Sequence, residues 1–192
     1  MHVLHHMAFH GGGLQTIPET RERVRGISQS GRRPEQRHAA APAQFQAARA
    51  FMDRLGAPFL AIPGNHDLPL FDVWTRLRRP YARHIAAFGS ELEPVFLSAE
   101  LLVICVNTTR AWQHKDGEVS AQQIDRVARL LANATPAQLR VVVVHQPVAV
   151  TRAEDAPNLL RGHAAALQRW AAAGADLVMG GHIHLPFVLA LH

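Results

Sequence analysis

The spacing of three polar signals, each directly after a short apolar run, constrains the fold of this chain more than any other feature. The signals are Gly64-Asn65-His66-Asp67, His145-Gln146-Pro147 and Gly181-His182-Ile183-His184, and the runs before them are residues 59–62, 141–144 and 177–179. Apolar runs that end in polar loops are typical of strands in α/β folds, where a rigid strand positions the side chains that its loop exposes. We therefore expect all three signals to lie at strand ends.

Helical patterns separate these apolar runs. The clearest covers residues 120–133, where Ser120 and Gln123 can form a capping box ahead of an apolar stripe. We also predict a helix that ends at Gly56, helices over 70–88 (broken at Pro80) and 159–173, and strands over 101–107, 139–144, 176–179 and 186–191. Strands that alternate with helices predict an α/β architecture.

The side chains in the three signals are suited to binding a metal ion. Imidazole nitrogens and an amide oxygen that converge from several loops suit zinc, manganese or iron. His182 and His184 stand two residues apart, so on an extended segment both would point to the same side. Each signal also has a structural interpretation, since Gly64 to Asp67 could form an ordinary turn and His145 could be a hydrogen-bonded histidine at a strand end.

Taken together, the signals resemble the calcineurin-like metallophosphoesterase superfamily. Its pattern reads D-x-H, G-D-x-x-D, G-N-H-[DE], a histidine after a strand, and G-H-x-H, and the last three elements are present here. His145-Gln146-Pro147 and the short spacing after Asp67 look most like the bacterial cyclic-nucleotide phosphodiesterase branch. The resemblance implies two packed β-sheets flanked by helices, a four-layer α/β/β/α sandwich, and two divalent metal ions (manganese, iron or zinc) at the strand ends.

The resemblance also implies a role for each residue. Asn65, His145 and His182 would hold one metal ion. His10 and His184 would hold the other.

The resemblance assigns the remaining residues of the Gly64–Asp67 signal to catalysis. His66 would lie beside the phosphate as general acid, a task that suits an imidazole, and Asp67 would orient its ring. Asn65 and His66 would also contact the substrate.

The front of the chain departs from the superfamily pattern. Ala8 stands at the aspartate position of D-x-H, Arg32 stands where an acid should bridge the two metals, and no aspartate precedes Asp53. We interpret residues 1–41 as atypical, either disordered or translated from a wrong reading frame, and residues 43–190 as family-like. The expectation is one domain over residues 1–192 that is incomplete at both ends and lacks the family's C-terminal strands.

Composition narrows the class of protein and its partners. The longest apolar run, residues 101–106, is far shorter than the ~18 residues that span a bilayer, and no secretory signal is recognisable, so we predict a cytoplasmic protein without a membrane partner. The net charge of +5 comes from scattered arginines, so nucleic acid is not an expected partner. Cys105 should be an inert buried thiol.

The remaining aromatic and histidine residues receive structural assignments. Trp74, Trp112 and Trp170 are expected to be packing residues and not base-stacking platforms, and the histidines expected on the surface are His38, His84, His114, His163 and His192.

The sequence supports one main hypothesis of function and two rivals. The main one is a metal-dependent phosphoesterase that hydrolyses a small phosphodiester or phosphomonoester, with cyclic nucleotides among the candidates, by metal-activated water. The first rival is a catalytically impaired remnant that binds at most one metal, because the bridging aspartate is missing. The second is a nucleic-acid-processing relative, whose DNA binding would depend steeply on salt.

Overall fold

The computed structural model describes residues 40, 42–69, 72–113 and 115–190, together with the backbone of a strand at 6–8. In chain order, these residues form the strands and α-helices β1 (His6–Ala8), α1 (Pro42–Leu55), β2 (Phe59–Ala61), α2 (Val73–Arg78), α3 (Ala82–Phe88), β3 (Val95–Leu97), β4 (Leu101–Cys105), α4 (Ala121–Ala132), β5 (Leu139–Val143), α5 (His163–Ala172) and β6 (Leu177–Met179). The predicted α/β architecture is therefore confirmed.

The main sheet has the strand order β3-β4-β5-β6. Strands β4, β5 and β6 run parallel, with Val103 opposite Val141 and Val143 opposite Met179, whereas β3 is antiparallel to β4. Strand β2 pairs separately and antiparallel with β1. Because parallel strands end at the same edge of a sheet, the loops after β5 and β6 emerge side by side.

Helices α4 and α5 cover one face of the main sheet. The capping box predicted at Ser120 and Gln123 is present at the start of α4. Val127 and Leu131 of α4 and Trp170 of α5 are almost fully buried in the same core cluster as the alternate strand residues Ile104 and Val142, among others. The amphipathic stripe therefore does what its helical spacing predicted: it anchors the helix to the sheet.

The opposite face of the sheet packs against the β2 segment. Val103, Cys105, Val141 and Val143 form a second core cluster with Ile62, the residue that directly follows β2. Phe88 of α3 contacts Phe59 of β2 and Phe45 of α1 through its ring. These contacts fix the loop after β2 relative to the main sheet, while the complete four-layer sandwich stays a prediction.

The single cysteine behaves as predicted. Cys105 lies buried at the end of β4, and burial raises the pKa of its thiol to about 12. A thiol with that pKa stays protonated and unreactive near neutral pH. Within the described residues, no helix combines the length and apolarity required to cross a bilayer.

At the C-terminal end, a predicted helix forms but starts four residues later than expected, and a predicted strand does not form over its described residues. The helix expected from Leu159 begins at His163, because residues 153–158 form a 3-10 helix that contains Pro157. Leu160 and Arg161 are instead held in backbone hydrogen bonds to Pro147 and Gly117. No strand forms over residues 186–190, which have no ladder partner among the described residues, and residue 191 lies outside them.

Several side chains are located differently from their prediction. Trp74 and Trp112 are 64% and 70% exposed, and the ring of Trp74 is covered by the Arg78 guanidinium 3.9 Å away, so only Trp170 packs in the core as expected. His84, expected on the surface, is fully buried, because helix α3 turns it toward α1 and the Gly64 loop. His163 is half-buried. The other three histidines assigned to the surface lie outside the described residues: His38, His114 and His192.

Candidate metal centre

A tight turn after β2 presents Asn65. Residues 65–67 form one turn of 3-10 helix, in which the Asp67 amide donates to the Gly64 carbonyl at 3.0 Å. The Asp67 carboxylate closes the loop by accepting the Gly64 amide at 2.9 Å. Asn65 and Asp67 are both buried. Residues Gly64 to Asp67 therefore form a turn, as the structural interpretation expects, and the same turn can still present a metal ligand.

Main-chain hydrogen bonds align the loops after β5 and β6. The Val144 amide donates to the Met179 carbonyl, and the Gly181 amide donates to the His145 carbonyl, each at 2.9 Å. At the other end of the strands, Arg140 bonds the Asp176 carboxylate through its backbone and its guanidinium, which holds the pKa of Asp176 below its usual value. The two strands are therefore fixed in register from end to end.

The side chains of Asn65, His145 and His182 meet at this edge. His145 Nε2 lies 2.9 Å from Asn65 Oδ1, and the rings of His145 and His182 pack edge to face with centroids 5.2 Å apart. Two ligand atoms bonded to one ion at about 2.1 Å and roughly 90–110° apart would be separated by about 3–3.5 Å. The observed 2.9 Å is a hydrogen bond, as the structural interpretation of His145 expects, and it is slightly shorter than that range, so the two atoms would have to separate a little to bind one divalent cation.

The backbone at the histidine pair departs from the extended segment assumed in the sequence analysis. His182 and His184 have φ values of 68° and 56°, and the Ile183 amide bonds the Gly181 carbonyl, so the segment bends. The inference that both side chains point to one side because the segment is extended is therefore wrong. Left-handed backbone at non-glycine residues costs energy and tends to cluster at functional sites. The strain here lies at two candidate ligands.

The ligands predicted for a second metal are only partly described. His184 is exposed, and His10 lies outside the described residues. The backbone of Ala8 pairs with Phe59, six residues before Asn65 and at the opposite end of β2 from the site. Among the described residues, no group of three or more His, Cys, Asp or Glu side chains could hold a metal ion, and the candidate site combines the Asn65 amide with only two histidines.

His66 and Asp67 occupy the same loop as Asn65. His66 is half-buried, and its carbonyl accepts the Ala40 amide at 2.8 Å. Asp67 lies 3.5 Å from the buried imidazole of His84. The general-acid role of His66 and its orientation by Asp67 stay predictions. Sequence reasoning missed His84, although its position one helical turn before Phe88 in α3 was a signal that it shares the apolar face.

The residue after His145 has a structural role that the sequence analysis did not assign. Gln146 is buried, and its Oε1 accepts a hydrogen bond from Thr108 Oγ1 at 2.5 Å. Gly117 lies against it so closely that a Cβ atom there would come within 2.0 Å of Gln146 Oε1. The loop after β5 is thus fixed to the loops after β4 and before α4. No spacing pattern in the sequence connects these residues.

Gly64→Ala provides a direct test of the cluster. Its Cβ would lie 2.9 Å from His145 Cε1, so the imidazole or the turn would have to shift, which would change the spacing of His145 and Asn65. We expect the affinity for Mn²⁺, measured by isothermal titration calorimetry, to fall at least tenfold, the lower end of the effect of disturbing a ligand's support.

Gly56→Ala is the matched control for this variant. Gly56 has a φ of +64° with no atom within 4 Å of the added Cβ, so its replacement costs about 1 kcal/mol of stability through backbone strain alone. Its Mn²⁺ affinity should equal that of the unaltered chain. An equal loss of affinity in both variants would show that general destabilisation, and not displacement of His145, causes the effect.

Comparison with protein families agrees with this geometry. The family model of the calcineurin-like phosphoesterases matches residues 29–186, a span that includes Asn65, His145 and His182 and begins within the atypical N-terminal segment, upstream of Arg32. A search of curated proteins gave no significant match. Because the family match covers most of the chain, this protein belongs to the calcineurin-like phosphoesterase family.

Proposed function

We propose that this chain is a phosphoester hydrolase in which Asn65, His145 and His182 are the ligands of one divalent cation. The observation that carries the proposal is the 2.9 Å separation of Asn65 Oδ1 and His145 Nε2, with the His182 ring packed against His145. One amide oxygen and two imidazoles form a donor set that manganese, iron and zinc all accept. The family membership supports phosphoester chemistry as the use of that site.

The residues of the chain itself supply binding, orientation and a proton. Asn65 and the two histidines would hold the cation, which when bound would act as a Lewis acid on phosphoryl oxygens. His66, the neighbour of Asn65, would contact the phosphate and donate a proton to the leaving oxygen. Asp67 would keep the His66 loop in place, since it accepts the Gly64 amide at 2.9 Å.

The impaired remnant remains the alternative. It is favoured by the absence, among the described residues, of any group of three or more His, Cys, Asp or Glu side chains that could hold a metal ion. It is also favoured by Arg32, which contributes a positive charge at the sequence position where the family has a bridging acid. A remnant would still fold and bind one cation but would not turn over substrate.

Metal stoichiometry, measured together with turnover, distinguishes the active hydrolase from the impaired remnant. The chain is to be dialysed against Mn²⁺, analysed for metal, and assayed with bis-p-nitrophenyl phosphate. Two metals per chain with turnover would support the enzyme, and one metal without turnover would support the remnant. A chain with neither metal nor turnover would contradict the assignment of the cluster as a metal site.

Substrate class is the finer part of the proposal. We propose that the substrate is a small phosphodiester, with cyclic nucleotides as the first candidates. The reason is that His145-Gln146-Pro147 resembles the bacterial cyclic-nucleotide phosphodiesterase branch. Parallel assays with 3′,5′-cyclic AMP, bis-p-nitrophenyl phosphate and p-nitrophenyl phosphate would rank cyclic diester, open diester and monoester. Preference for the monoester would reject the cyclic-nucleotide assignment. The identity of the metal and a cytoplasmic location stay predictions.

A further inference from the structure

A buried histidine outside the predicted site faces the loop that carries Asn65. His84 lies in α3 with no exposed surface, and its ring packs 5.1 Å from that of Phe88. Its Nδ1 is 3.5 Å from Asp67 Oδ2, and neither of its nitrogens has a hydrogen-bond partner among the described residues. Burying an imidazole without hydrogen bonds is unfavourable, so its position against a carboxylate calls for an explanation.

The carboxylate that faces His84 also closes the metal-binding turn. Asp67 Oδ2 accepts the Gly64 amide at 2.9 Å, and the same oxygen is the one nearest His84 Nδ1. A carboxylate only accepts hydrogen bonds, so an attractive contact requires that Nδ1 carries the hydrogen. His84 and the Gly64 amide therefore both face one oxygen of Asp67, which connects α3 to the turn that presents Asn65 and His66.

We propose that His84 is a positioning residue, which fixes the Asp67 carboxylate and through it the turn bearing Asn65 and His66. The inference rests on the proposed function, because it assigns His84 to the support of that same metal site. Among the described residues, the Asp67 carboxylate accepts a hydrogen bond from one backbone amide, and a carboxylate held at one point can rotate about its χ angles. A second group against the same carboxylate oxygen, held in α3 with its ring packed on Phe88, restricts that rotation and keeps the turn closed.

A pair of amide variants separates positioning from packing. In His84→Asn the side-chain nitrogen takes the place of Nδ1 and keeps a donor toward Asp67, whereas in His84→Gln the nitrogen takes the place of Nε2 and faces away. Hydrogen exchange of the Gly64 amide, followed by NMR in the intact chain, reports the closure of the turn directly. We expect exchange at least about tenfold faster in His84→Gln, as for one weakened hydrogen bond, and within about threefold of the unaltered chain in His84→Asn.

The Val106 amide, which bonds the Val143 carbonyl in the main sheet, is the internal control for loss of fold. Glutamine has a higher helix propensity than asparagine, so a loss of helix stability would speed Gly64 exchange more in His84→Asn. The positioning role predicts the opposite, with faster exchange in His84→Gln. Equal exchange of Gly64 in the two variants, whether fast or slow, would overturn the positioning role. So would an increase at Val106 as large as that at Gly64.

Mn²⁺ affinity provides the link to the metal site. It should fall about tenfold in His84→Gln and by much less in His84→Asn. If His84→Gln shows faster Gly64 exchange but unchanged Mn²⁺ affinity, His84 supports the turn but not the metal site. That result would overturn the inference that His84 positions the metal site. Failure of the unaltered chain to bind Mn²⁺ would instead contradict the proposed function, while Gly64 exchange would still report whether His84 holds Asp67.

Discussion

Replacing residues 1–41 with a family segment that carries D-x-H and G-D-x-x-D is expected to raise the rate of phosphodiester hydrolysis by roughly 100-fold or more. The rate is to be measured with a chromogenic phosphodiester in excess manganese. The chain as it stands has Ala8 and Arg32 at the positions of two family aspartates. Two cations brought close together repel each other strongly unless a carboxylate lies between them. Supplying that carboxylate should strengthen binding of the second metal and speed the slow reaction of the original chain.

The matched control is the same replacement segment with its two metal-binding aspartates changed to alanine. It reproduces the length and packing of the new segment without its charges, so it should remain as slow as the original chain. Point substitution of Ala8 is not equivalent, because its backbone lies beside Phe59, at the end of β2 away from Asn65. Comparable rates for the replaced and the original chain would show that the N-terminal aspartates are dispensable here.

His66→Ala, made in the chain with the replaced segment, should lower turnover by about 10²–10⁴-fold while leaving metal content nearly unchanged. The physical reason is that His66 is expected to donate a proton and not to bind metal, although it neighbours the proposed ligand Asn65. Turnover is to be measured beside elemental analysis of the dialysed protein. The half-buried His163, on α5, provides the control substitution His163→Ala, which should change neither quantity.

Two outcomes would contradict this role. A variant that lost its metal would show that His66 is a ligand. A variant that kept full activity would remove His66 from the mechanism.

Local sequence patterns predicted the elements that depend on near neighbours. The capping box at Ser120 and the apolar stripe of α4 are decided within one helix, and both were predicted correctly. The meeting of Asn65, His145 and His182 was also predictable, because each follows an apolar strand and strand ends converge.

What the sequence did not reveal depends on partners distant in the chain. His84 became buried because α3 packs beside the Gly64 loop, and nothing local to His84 specifies that neighbour. Helix α5 starts late because Leu160 bonds Pro147, a contact that competes with helix formation. The bend at His182 is another such case, since its left-handed backbone is imposed by the loop as a whole.

The most direct test of the proposed metal site compares the Mn²⁺ affinity of two variants, His182→Ala and His184→Ala. Both variants lose an imidazole, at positions two residues apart. If Asn65, His145 and His182 hold the cation, His182→Ala should weaken binding by roughly 100-fold or more, because losing a ligand should cost at least as much as losing its support. His184→Ala should bind within about threefold of the unaltered chain, because His184 is exposed and assigned to the second metal. Full affinity in His182→Ala, or an equal loss in both variants, would contradict the account.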